Sequence, residues 1–396
     1  MNRIRIFILC CLLQAVATTS WSAPVPVLQP SEKWLAVAST KDIDTAKGIA
    51  NYYAWKGARV MAAKGGWLAV VLGPFKAETV EQVKAMEPNL AEDLPKDALL
   101  SSGRNYLEQV WYQAPLEGSS GPLSEYNPAK PAQFSTGALT VDVSMSGDDN
   151  NPGPTTIKGT IHGQAAFTFA TPADFAITGS NAGLLRLDPT TDDPQIVVTR
   201  FTGGAHCCTM TWIITKPKGG ASWTMIEGQM LDGGGYSYED MDGDGALEMV
   251  NVDNSFLYAF ESYAGSFSVQ RYNQLRGGKI TDITYTPAMR PFLKQQLAWH
   301  DFNAKLHPEI WKANGFLAAW VANKNILGEG EEAWSKMEKN FETGNSFGPQ
   351  ECLSGQKIED CPFENLKPIP FPKALAQFLQ DKDYGPLPAA AQALLK

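Results

Sequence analysis

Between Ser135 and Tyr285 the chain is cut into short alternating runs, among them "ALTVDVSM", "TIKGTIHG", "QIVVTRF", "MTWIITK" and "ALEMVNVD", each ended by Gly, Asp, Asn or Pro. Runs this short, punctuated this often, do not extend into helices, and their period of two gives each segment one face for a core. Residues 135–285 therefore read as an all-β domain, either a sandwich or propeller-like blades. Further strands are expected at "AAFTFA", "LLRLD", "WTMIEG", "FLYAFES" and "FSVQRYN". From Pro287 the period changes to that of helices, in "FLKQQLAWHDFNAKL", "PEIWKANGFLAAWVANKNIL" and "GEEAWSKMEKNF", so 287–396 reads as a helical C-terminal region.

Residues 33–113 mix the two periods. "KWLAVAST" is a strand; the next helix has Asp42 placed to cap it and Gly57 to stop it. Two strands then turn at Lys64-Gly65-Gly66, "AETVEQVKAM" is a second helix, and "LEQVWYQ" closes the set. Strand–helix–strand twice over suggests a split βαβ, ferredoxin-like sheet with two helices on one face and the other face open. Alternation sends Leu35, Val37, Leu68, Val70 and Leu72 beneath the helices. It sends Trp34, Ala36, Ala38, Trp67, Ala69 and Val71 to the open face, where two indoles would form a platform suited to sugar rings. If a neighbouring segment covers that face, the same tryptophans become packing. A Gly-, Pro- and Ser-rich linker follows over 114–134.

"WLAVAST" leading into a helix, then "GWLAVVLGPFKAETVEQVKAM", resembles the sporulation-related repeat (SPOR) domain, whose second half ends a strand in Gly-Pro-Phe, here Gly73-Pro74-Phe75. The resemblance implies a peptidoglycan-binding module that favours glycan strands stripped of stem peptides. Trp34, Ala36, Trp67, Ala69 and Val71 are then the expected ligand-binding residues. Where the family carries Gln followed two residues later by Gly, this chain has Ala36 and Ala38.

The first residues, "MNRIRIFILCCLLQAVATTSWSA", combine a basic start, a short apolar run and a small-residue exit. They read as a secretory signal peptide over 1–22, cut after Ser22 or else after Ala23. Cys10 and Cys11 leave with it, and no later stretch is long and uncharged enough to span a bilayer. An exported chain, periplasmic or otherwise in a bacterial envelope, would keep Cys207, Cys208, Cys352 and Cys361 as disulfides. Without Arg3 and Arg5 the chain carries 31 basic and 42 acidic residues, a net charge of −11, which argues against nucleic acid as a partner.

Two short stretches could carry chemistry. "DMDGDGALE" places Asp240, Asp242 and Asp244 at positions one, three and five, a Gly at six, the Ala246 carbonyl at seven and Glu248 at nine. That spacing wraps oxygens around a hard cation of calcium size and relieves the repulsion of three crowded carboxylates. The loop resembles the D-x-D-G-D-G-x-x-D/E loop of FG-GAP and VCBS-type repeats, which implies a structural Ca2+ that staples a β-turn. "FTGGAHCC" sets His206 beside Cys207, but adjacent strand residues point to opposite faces, so the pair is not a dyad, and neighbouring ligands suit tetrahedral zinc poorly. A disulfide corner remains, either between Cys207 and Cys208 or reaching Cys352 or Cys361; His206 is expected to bond backbone at the Gly203-Gly204 turn. Cys352 and Cys361 are close enough in sequence to close a small loop of their own.

No G-x-S-x-G elbow, phosphate loop, H-E-x-x-H or dinucleotide fingerprint occurs. The expected function is that of a non-catalytic envelope protein binding peptidoglycan through residues 33–113. The alternatives are a periplasmic protein-interaction scaffold with a degenerate SPOR-like fold, and a cell-wall hydrolase with an unrecognised active site.

Overall fold

The computed structural model describes residues 23–113, 122–148, 151–173, 175, 178–344 and 347–396. The expected signal peptide and residues 114–121 of the linker lie outside the described residues. The protein is multidomain α+β, with antiparallel sheets followed by a helical C-terminal region.

The N-terminal sheet is built from β1 (Glu32–Thr40), β2 (Ala58–Ala63), β3 (Trp67–Lys76), β4 (Leu99–Ser101) and β5 (Tyr106–Gln113), in the order β4-β1-β3-β2-β5. The helices α1 (Ile43–Tyr52) and α2 (Val80–Met86) follow β1 and β3, and a one-turn α3 (Pro88–Ala91) precedes β4. Asp42 caps α1 by accepting the Thr45 N–H at 2.8 Å, and Thr79 and Gln82 form a capping box on α2. Gly57, Gly65 and Gly66 adopt the positive φ their turns require. "LEQVWYQ" is not the strand that follows α2; the three-residue β4 takes that place beside β1, and β5 extends the opposite edge beside β2.

Leu35, Val37, Val70 and Leu72 pack beneath α1 on Ala46, Ile49 and Ala50, as the alternation required. The outer side of α1 is covered in turn by α4 (Arg290–Leu306). A Cβ on Gly48 would stand 2.2 Å from the Gln295 carbonyl oxygen and 2.8 Å from Ala298 Cβ, so glycine is what lets the two helices cross this closely. Tyr52 and Tyr53 pack edge-on against Phe302, and Lys305 reaches Asp97 at 3.1 Å.

The β region has three sheets. β7 (Ala132–Thr136), β8 (Leu139–Gly147), β9 (Pro152–Ile161) and β10 (Gln164–Ala170) form the first. The second contains β6 (Ser124–Glu125), β11 (Asn181–Leu185), β12 (Gln195–Phe201), β13 (Cys207–Thr215), β14 (Thr224–Glu227) and β15 (Leu231–Asp232). The third contains β16 (Ser237–Glu239), β17 (Glu248–Val252), β18 (Gln270–Arg276) and β19 (Lys279–Asp282). Because β6 and the start of β7 fall within 114–134, that end of the expected linker is sheet, anchored by a buried Tyr126 whose hydroxyl meets Thr155.

The sheets stack with the second in the middle. Ile196, Val198 and Ile214 join Val141, Val143 and Ile157 in one core, whereas Val197 and Ile213 join Tyr238, Met249 and Leu275 in another. Burial on both faces explains why "QIVVTRF" and "MTWIITK" are nearly continuous in apolar residues. The far face of the third sheet, through Val250 and Tyr272, packs on α4, α5 (Asn314–Ile326), α6 (Gly330–Asn340) and α7 (Phe371–Asp381).

"FLYAFES" is not a strand. Phe256 and Phe260, four residues apart, both pack on Phe378 of α7, and Tyr258 between them takes a positive φ, so this stretch is irregular turn between two 3-10 turns at Asn254–Phe256 and Tyr263–Gly265.

Candidate functional site

The acidic stretch forms the hairpin tip between β16 and β17, whose last paired residues are Glu239 and Glu248. The carboxylates hold the tip by accepting backbone N–H groups: Asp240 from Gly243 and Gly245, Asp242 from Asp244, and Asp244 from Ala246. One oxygen from each of Asp240, Asp242 and Asp244 falls within 4.8 Å of the others. Ala246 is buried, which anchors the loop to the fold beneath it.

Glu248 is the informative member. It is fully buried; Oε2 accepts the Met241 N–H at 2.8 Å, and Oε1 has no hydrogen-bond partner among the described residues. Burial, opposed only by that bond, pushes its carboxyl up to about 7, with repulsion from Asp242, Asp244 and Asp240 adding to the rise. Glu239, directly opposite, is also pushed up to about 7, by burial first and then by Glu248 and Asp240. Like charges facing each other across a ladder destabilise it, and an orphaned buried oxygen is costly. A divalent cation among the three aspartate oxygens would offset this crowded negative charge, and the donor set is all oxygen, as a hard cation requires. The residues present therefore fit Ca2+.

The open face of the N-terminal sheet departs from expectation. Trp34, Ala69 and Val71 do lie together on the side away from the helices, with Met61 and a half-buried Ala36, but Val25, Leu28 and Tyr106 cover them. Trp34 is fully buried, with the Arg59 guanidinium 5.7 Å from its ring. The covering segment is pinned where Ala23 pairs with Gln109 of β5 through two backbone bonds, at 2.9 and 2.8 Å. Trp67 is 46% exposed at the sheet margin with Lys41 over its ring. The two indoles thus form no shared platform. Alternation assigned the faces except for Ala38, which the irregularity after Ala36 sends to the helix side; the cover comes from residues outside any periodic element.

Cys207 is bonded to Cys208, and Cys352 to Cys361 with Cα atoms 5.8 Å apart. His206 does not bond the Gly203-Gly204 turn through its ring. Nδ1 pairs with Asp232 at 2.8 Å, Nε2 lies 3.2 Å from the Tyr258 hydroxyl, and the ring stacks on Tyr263, whose hydroxyl donates to Asp232. These partners stand 26, 52 and 57 positions along the chain, and no local spacing announces them.

Among the described residues no helix is long and apolar enough to cross a membrane. A family model described as the sll0997 C-terminal domain matches residues 283–383, the helical region from just after the third sheet to the end of α7. The chain is 36% identical over 363 residues to an uncharacterized protein, y4bJ, of Sinorhizobium fredii, covering 89% of this chain and 56% of that protein. It is 35% identical over 195 residues to a probable thylakoid lumen protein, sll0997, of Synechocystis, covering 48% of this chain and 56% of that one. No solved structure matches. The chain thus spans little more than half the length of the curated relatives it matches, and it is similar to an uncharacterized rhizobial protein and to a probable lumen protein.

Proposed function

We propose that this chain is an exported, non-catalytic interaction scaffold of the cell envelope. In this reading its N-terminal sheet is a SPOR-like module that has become structural, and the acidic hairpin is stapled by Ca2+. The observation that carries the reading is the occupation of both faces of that sheet, one by α1 and then α4, the other by Val25 and Leu28. With Trp34 buried, Trp34 and Trp67 offer no shared aromatic surface for a glycan chain, which favours the scaffold over peptidoglycan recognition by this module. The strand order β4-β1-β3-β2, with helices after β1 and β3, supports the SPOR-like reading of the module itself. A lumenal relative and two disulfides support export. Asp240, Asp242, Asp244 and Glu248 would hold the ion, with the Ala246 carbonyl completing the shell. Its contribution would be to neutralise the hairpin charge.

The test is cosedimentation of residues 23–396 with purified sacculi and with denuded glycan strands. The scaffold reading expects any retention to be the same in wild type and Trp67→Ala. Retention that Trp67→Ala abolishes would restore the glycan-binding module, and release of soluble sugar would restore the hydrolase.

A further inference from the structure

Toward one end of the space between the second and third sheets the apolar packing of Met249 and Leu275 gives way to polar side chains, and a cavity of about 470 Å³ opens there. That volume is in the range of small-molecule sites. Apart from Glu227, its charged groups are already matched. Arg271 donates through Nε to Asp253 at 3.1 Å, through Nη1 to the Tyr285 hydroxyl and through Nη2 to the Lys382 carbonyl, with its face on the Tyr384 ring. Asp253 also accepts from Ser255 and Tyr384, and Asp282 accepts the Thr284 N–H.

What remains is neutral and directional. Asn251 and Asn273 are buried on adjacent strands and bond each other at 2.9 Å; among the described residues no hydrogen bond reaches Asn273 Oδ1. At the rim the Gln229 carboxamide and the Glu227 carboxylate carry no intramolecular bond among the described residues, and exposed Met230 offers an apolar surface. Among the described residues a phosphate or carboxylate ligand would find no free cation here. A polyamine would find one free acid. Hydroxyl groups, which donate to carboxylate and carbonyl oxygens and accept from amide N–H, match every unengaged polar group.

We infer that this cavity binds a neutral polyhydroxylated ligand, a saccharide of one or two rings, independently of whether the chain serves as a scaffold. The test is calorimetric titration of residues 23–396 in Ca2+ with maltose, cellobiose and N,N′-diacetylchitobiose, beside glucose 6-phosphate and spermidine. Saturable heat from at least one neutral disaccharide is expected, weakened at least tenfold in the Glu227→Gln/Gln229→Ala double variant without change in Tm. Silence of all three disaccharides, binding of a charged probe only, or undiminished binding by the double variant each overturns the inference.

Discussion

Glu248 carries a buried oxygen without a partner among the described residues, and it is where the calcium reading is most exposed to test. Ca2+ at millimolar concentration is expected to raise the Tm by several degrees. Asp242→Asn should weaken Ca2+ at least tenfold in calorimetry, whereas Glu248→Gln should raise the ion-free Tm and lower the gain from Ca2+; an ion-independent Tm would remove the staple. A second residue-scale prediction concerns His300. Burial among Phe267, Phe316 and Trp299 holds its imidazole down at about 4. The unfolded chain, with an ordinary value near 6.5, takes up the proton first. The contribution of this group is therefore complete above about pH 6.5 and is lost as pH falls toward 4, by roughly 3 kcal/mol. His300→Phe should flatten that limb of stability against pH in urea titrations at pH 4.5, 5.5 and 6.5; an unchanged slope would assign the acid sensitivity elsewhere.

Elements were legible where one local rule decided them. Asp42 and Thr79 announced helix starts, and the period of two in β1 and β3 sorted their side chains between faces except at Ala38, which a register shift after Ala36 turns to the helix side. Legibility ended where a distant residue decided. Nothing near Trp34 says that Val25 and Leu28 will lie on it, nothing near His206 points to Asp232, and "FLYAFES" lost its strand to a distant α7. The crossing of α1 and α4 is a case in point, since Gly48 looks locally like a weak helix residue. Gly48→Leu should push the helices apart and cost about 2–3 kcal/mol, the upper part of the usual range for overpacking a core. Chemical denaturation reads this, and a cost below about 0.5 kcal/mol would mean that the contact yields freely. Deleting residues 23–30 should uncover Trp34, seen as a red shift and increased quenching of tryptophan emission; an unchanged spectrum would place the cover elsewhere.

Across the whole molecule the layers follow one another from the first sheet, whose outer face is solvent-exposed, through the second sheet, the third sheet, the helices and α1 to the N-terminal sheet. The sequence showed three textures and suggested three separable units; the contact of α1 with α4 joins the first texture to the last. Calorimetry of residues 23–396 is therefore expected to show the N-terminal sheet and the helical region melting in one transition, which Gly48→Leu splits. Two transitions in the wild type would mean that the interface is too weak to couple them.

The middle sheet bears on how this chain can change over time. Successive residues of β12 serve different cores, Ile196 and Val198 one and Val197 the other. Inserting a single amino acid there would exchange the occupants of both interiors at once. Length variation among descendants of this protein should consequently collect at hairpin tips, while the central strands drift only by substitution.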